Sequence, residues 1–138
     1  MNIGLIGIGT VGGGTYQVLK ENAEEISNKS GIEIKITHVA DKNLKLAKET
    51  VDKETIIEED AFSLIENSSI DTIIELIGGT GIALDIVRKA LENGKHVVTA
   101  NKALIAMHGE ELFKIANKKN VLLAYEAAVA GGIPIIKA

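Results

Sequence analysis

Three glycines, at Gly7, Gly9 and Gly12 in the run Gly7, Ile8, Gly9, Thr10, Val11, Gly12, have a spacing that implies chemistry. Where such a GxGxxG run joins a strand to a helix, the first glycine permits a tight turn and the second lets the main chain approach a pyrophosphate. The third lets the helix pack closely on the sheet. The helix start behind them offers unpaired N–H groups and about half a unit of positive charge. An anionic dinucleotide meets all of these features; a glycine turn made only for packing is the competing explanation. Asp41, at the end of the next β-branched run, is placed to accept hydrogen bonds from adenosine ribose hydroxyls. Its carboxylate would repel the extra phosphate of NADP, whereas the adjacent Lys42 would attract it, so the pair leans toward NAD and leaves NADP open. Both could also be simple turn residues.

Further along stand three more candidates. Ile77, a candidate cofactor contact, closes an apolar run, and Gly78 and Gly79 follow it where a side chain would obstruct a nicotinamide ribose, although a packing turn would read the same way. Lys102 opens a helical stretch, where a cation is mildly unfavourable, and its ammonium group could stabilise or protonate an oxygen that gains negative charge. A surface lysine is the alternative. In EAAVAGGI, from Glu126, small residues and two glycines let a loop curl so that carbonyls converge on a hard cation beside one carboxylate; a hinge is the other reading.

The elements that must position these residues alternate between strand and helix. Apolar runs at residues 2–8, 32–40, 71–77, 95–99 and 121–125 read as five strands, and amphipathic stretches at 10–27, 44–51, 61–67, 81–92 and 104–117 as helices. Asp60 and Thr80 are the expected caps of two of them. The charged stretch 52–60 reads as a solvated loop. Short connections and uniform composition predict one α/β domain over 1–138, a Rossmann-type doubly wound parallel sheet of strand order 3-2-1-4-5. In that order the first and fourth strands adjoin, which would set Lys102 opposite the phosphate loop.

Composition narrows the partners. With 138 residues, 46% of them hydrophobic, 25% charged and only 3% aromatic, the chain can bury a core of Ile, Val, Leu and Ala, as doubly covered parallel strands require. A net charge of −4 and the lack of basic residues interleaved with rings argue against nucleic acid. No apolar run is long enough to span a membrane and no signal peptide is visible, so a cytoplasmic location is expected. The absence of cysteine excludes disulfides, thiolate metal sites and a thiol nucleophile. No Walker lysine or GxSxG elbow is present.

GIGTVGGG, ELIGG at Glu75 to Gly79, TANKALIA from Thr99 and EAAVAGGIPIIK from Glu126 together resemble the homoserine dehydrogenases. The resemblance spans nearly the whole chain and implies an NAD- or NADP-dependent oxidoreductase that interconverts homoserine and aspartate semialdehyde, on the route to threonine and methionine. It implies that Lys102 is one of two active-site lysines and lies by the cofactor. It further implies a sodium ion held by the carboxylate of Glu126 and the carbonyls of Val129, Gly131 and Ile133. By the same token a substrate domain would follow residue 138, the complete enzyme would be a homodimer, and this portion alone would bind cofactor without turnover. A non-catalytic NAD(H)-sensing module and a different Rossmann amino-acid dehydrogenase are the alternatives; a sensor would have no need of Lys102.

Overall fold

Buried isoleucine, leucine and valine on alternate faces of short strands build the centre of the molecule. In the computed structural model, which describes residues 1–130 and 133, six strands form one sheet: β1 (Asn2–Ile6), β2 (Lys35–Ala40), β3 (Ile56–Glu58), β4 (Thr72–Glu75), β5 (His96–Thr99) and β6 (Leu123–Ala124). Their spatial order is β3-β2-β1-β4-β5-β6, and every neighbouring pair is parallel. The helices are α1 (Thr10–Glu21), α2 (Ala23–Ser30), α3 (Leu44–Thr50), α4 (Ala61–Glu66), α5 (Gly81–Glu92) and α6 (Lys102–Lys119). The doubly wound α/β sheet expected from the sequence is the fold observed.

Side chains adjacent along a strand serve opposite layers, as the two-residue period requires. Ile6, Ala40, Ile73 and Val97 meet Leu64, Ile65, Ile86, Leu91, Leu104 and Leu112 from α4, α5 and α6. Ile3, Leu5, Val39 and Ile74 meet Tyr16 of α1 and Ala47 of α3 in the other layer. Every strand between the two edges is covered on both sides, which is why β1 reads as an unbroken apolar run.

Three expectations change in detail. The run at 52–60 contains β3, whose register pairs His38, Val39 and Ala40 with Ile56, Ile57 and Glu58. This short edge strand takes the outer place, so β4 is the neighbour of β1 and β5 stands one strand further away. The step from β5 to Lys102 therefore starts two strands from the phosphate loop. The first helix is interrupted at Asn22, whose backbone and side-chain N–H groups both donate to the Val18 carbonyl, at 3.1 and 2.8 Å. Such local side-chain bonding competes with helix propagation. Asp60 caps α4 by accepting from the Phe62 N–H at 3.0 Å, whereas Thr80 makes no side-chain cap on α5.

Candidate functional site

Parallel strands all deliver their C-terminal ends to one edge of the sheet, and the glycine turn lies on that edge at β1. Gly7 has φ +94, a left-handed value that glycine adopts without strain, and its N–H donates to the Ala40 carbonyl at 2.9 Å. Gly12, in the first turn of α1, lies so close to this turn that a Cβ there would stand 1.8 Å from the Gly7 carbonyl oxygen. At Gly9 a Cβ would meet nothing within 4 Å, and no side chain caps the helix that follows. The result is a helix start jammed against its strand, with uncapped first-turn amides facing open space.

Asp41 is committed to that turn. One carboxylate oxygen accepts from the Ile8 N–H at 2.7 Å and the other from the Asn43 N–H at 2.7 Å. The carboxylate thus orders the glycine turn while each oxygen keeps lone-pair capacity for a further donor. Lys42 beside it is exposed. A cleft of about 360 Å³ opens here, lined among others by Asp41, Lys42, Phe62, Ile77, Gly78 and Ile82. Phe62 and Ile82 escape sequence reasoning as site residues. Ile82, 52% exposed, is a large apolar side chain left uncovered beside a glycine turn, a signal visible only in space, and Phe62 reaches the cleft from α4.

The turn after β4 and the turn after β5 are joined by side chains. Glu75, fully buried, accepts through one oxygen from the N–H groups of Ile77 and Gly78, at 2.9 and 3.3 Å. Its other oxygen accepts from the Thr99 hydroxyl at 2.6 Å. Asn101 caps α6 by accepting from the Leu104 N–H at 3.1 Å, and its amide group donates to the Gly79 carbonyl. Lys102 is the first residue of α6 and is exposed on the same edge as the glycine turn. The sequence singled out Glu75 only as part of a motif; its partner Thr99 lies 24 residues away, which no local pattern encodes.

Past β6, Glu126–Ala128 forms one turn of 3-10 helix, closed by Val129 N–H donating to the Glu126 carbonyl at 3.1 Å. Tyr125, just before it, rests against Phe113 of α6 with ring centroids 5.1 Å apart. The Ile133 N–H donates to the carbonyl of Ala130, a residue with φ +53. Glu126, Val129 and Ile133, three of the residues expected around a cation, follow β6 in this segment. Gly131 lies outside the described residues.

Residues 7–126 match the family model for the NAD-binding domain of homoserine dehydrogenase. The chain belongs to that family. It is 52% identical over 138 residues to the homoserine dehydrogenase of Neisseria gonorrhoeae, all of this chain matching 32% of that protein. A crystal structure of a homoserine dehydrogenase from Thiobacillus denitrificans superposes with a TM-score of 0.95 and 48% identity, covering 100% of this chain and 32% of the other. The Staphylococcus aureus homoserine dehydrogenase superposes at a TM-score of 0.85 with 36% identity, covering 95% of this chain and 34% of that one. This NAD-binding domain spans about a third of the length of the curated relatives it matches. Its glycine turn, Asp41 and the Glu75 to Gly79 segment all fall within the matched residues.

Proposed function

We propose that the domain seats NAD or NADP along the C-terminal edge of its sheet, as part of an oxidoreductase that interconverts homoserine and aspartate semialdehyde. Homoserine comes from the relatives, which are homoserine dehydrogenases, and aspartate semialdehyde is the aldehyde that oxidation of its primary hydroxyl gives. The observation that carries the binding role is the contrast between Gly12, packed against Gly7, and Gly9, open to solvent beside uncapped amides. Pyrophosphate would lie against those amides, the adenosine ribose on Asp41, and the nicotinamide ribose over Ile77, Gly78 and Gly79. The Asp41 carboxylate favours NAD, since it would repel a 2′-phosphate, while exposed Lys42 leaves NADP within reach.

When bound, the nicotinamide ring gives or takes a hydride. The Lys102 ammonium would then donate a hydrogen bond to the substrate oxygen and stabilise the negative charge that gathers there as the carbonyl is reduced. In the oxidative direction the same side chain, as the neutral amine, would accept the hydroxyl proton. Glu126, with the carbonyls of Val129, Gly131 and Ile133, would hold a sodium ion that fixes the loop beyond β6. The complete enzyme would act as a cytoplasmic homodimer, with catalysis requiring residues outside this domain. Among the described residues no helix is long and apolar enough to cross a membrane.

Two measurements test the reading. Gly9→Val should weaken calorimetric affinity for NAD or NADP by about 100-fold, since its side chain would fill the pyrophosphate position. Unchanged affinity would remove the site. In the complete enzyme, Lys102→Ala should lower kcat far more than it weakens cofactor binding; the reverse pattern would make Lys102 a binding residue.

A further inference from the structure

Gly78 and Gly79 have consecutive left-handed backbones, φ +70 and +72, and a Cβ on either would meet no atom within 4 Å. Packing against neighbouring side chains therefore does little to locate this turn. Hydrogen bonds locate it instead, and they form a closed ring. Glu75 accepts from the Ile77 and Gly78 N–H groups and from the Thr99 hydroxyl; Thr99 Oγ1 accepts from the Asn101 N–H at 3.0 Å; the Asn101 side chain donates to the Gly79 carbonyl. Glu75 is fully buried and makes no ion pair among the described residues, so these donors are what satisfies its carboxylate. Asn101 also caps α6 at Leu104, one turn from its own position and directly before Lys102.

The geometry points to Glu75 as a positioning residue that couples the Gly78–Gly79 turn to the start of α6, so that a cofactor resting on the turn orders the backbone that carries Lys102. This rests on the cofactor position proposed above and adds a route by which occupancy at one loop is transmitted to another. The ring runs from three buried residues, Glu75, Thr99 and Asn101, each at most 8% exposed, to main-chain groups of the exposed turn. Displacing the turn must stretch the Asn101 bond or the Glu75 bonds, and either strain reaches the α6 cap through one residue.

Thr99→Val cuts the ring with little change of shape, leaving Glu75 its two main-chain donors. Thr99→Ser restores the hydroxyl. Asn101→Asp keeps a capping oxygen for Leu104 but removes the donor to Gly79. The test is amide hydrogen exchange on the complete enzyme with and without saturating NADP+ or NAD+, with calorimetric affinity measured in parallel. In the native protein, cofactor should slow exchange at Gly78 and at Leu104 together. In Thr99→Val and Asn101→Asp the slowing at Gly78 should persist while that at Leu104 falls at least about threefold, and Thr99→Ser should return it. A purely structural role would raise exchange at Leu104 in the ligand-free variants and leave the cofactor-induced slowing intact, which would overturn the proposal. Should a variant fail to fold, Thr99→Ser and the native protein still decide it: no slowing at Leu104 on binding in either refutes the coupling. Binding with unlinked loops sinks the coupling alone, whereas loss of all dinucleotide affinity in the native protein sinks the binding reading beneath it.

Discussion

The two ends of the sheet are fastened in different ways. At the N-terminal end, long or polar side chains act as staples: the Lys95 ammonium donates to the carbonyls of Asn67 and Ile70, both at 2.6 Å, and the Asn67 side chain meets His38 at 3.1 Å. Asp71 accepts from the Asn2 N–H at 2.7 Å, and the Asn2 amide donates to the Ser69 carbonyl at 2.9 Å. At the C-terminal end the turns are made by glycine, and the fastening groups, Asp41 and Glu75, accept from main-chain N–H groups from beneath or beside them. One end spends side chains on closing the surface; the other holds its backbone in place while leaving amides and space uncovered. On the proposed cofactor position, substitutions at the N-terminal end should change stability and leave binding intact.

The largest effect is expected at Gly12. Gly12→Ala would push α1 off the Gly7 turn, because the clash is with main chain and not with a side chain able to move aside. Chemical denaturation should show a loss of about 3 kcal/mol, at the upper end of the overpacking range, together with loss of dinucleotide binding. This contrasts with Gly9→Val, which should leave the denaturation midpoint nearly unchanged. Lys95→Met comes next. It removes the donor to two carbonyls at the opposite end, and should cost about 2 kcal/mol while leaving cofactor affinity unaltered. A variant that weakened binding would break the proposed independence of the two ends.

The smallest effects are in pH dependence. Burial lowers the Lys95 amine below its usual value, so the unfolded chain holds the proton more tightly than the folded one. Stability from this group should rise as pH increases through the alkaline range below the ordinary lysine value, and the native protein should show this rise where Lys95→Met does not. Asp52, hydrogen-bonded to Lys20, and Glu111, hydrogen-bonded to Arg88, are both held below the usual carboxylate range. Their contribution is present at neutral pH and fades as pH falls through and below that range. All four side chains lie at the surface, so Asp52→Asn should shift the acid midpoint only slightly.

Much of the C-terminal edge was legible because its signals are local. GxGxxG sits between a strand and a helix in sequence as it does in space, and α5 occupies Gly81–Glu92 as its apolar spacing predicts. β3 was not legible: three residues within a charged run, with Ile56 half exposed, follow the register of β2 instead of a pattern of their own. Missing it left the edge beside β2 to be filled by residues 71–77 and shifted the neighbours of β1 by one strand. Glu75 and Lys95 were hidden for another reason. A charged residue in a sequence reads as exposed, and the approach of segments more than 20 residues away completes the set of partners that lets it be buried.

Tyr16 is one of two tyrosines in the chain, and its hydroxyl stands 2.8 Å from the Thr55 hydroxyl and accepts from the Asp52 N–H at 3.1 Å. A single phenol thereby moors the helix that begins at the phosphate loop to the lead-in of the outermost strand. Fraying of that rim would loosen the moorings of the helix whose first turn packs on the glycine turn.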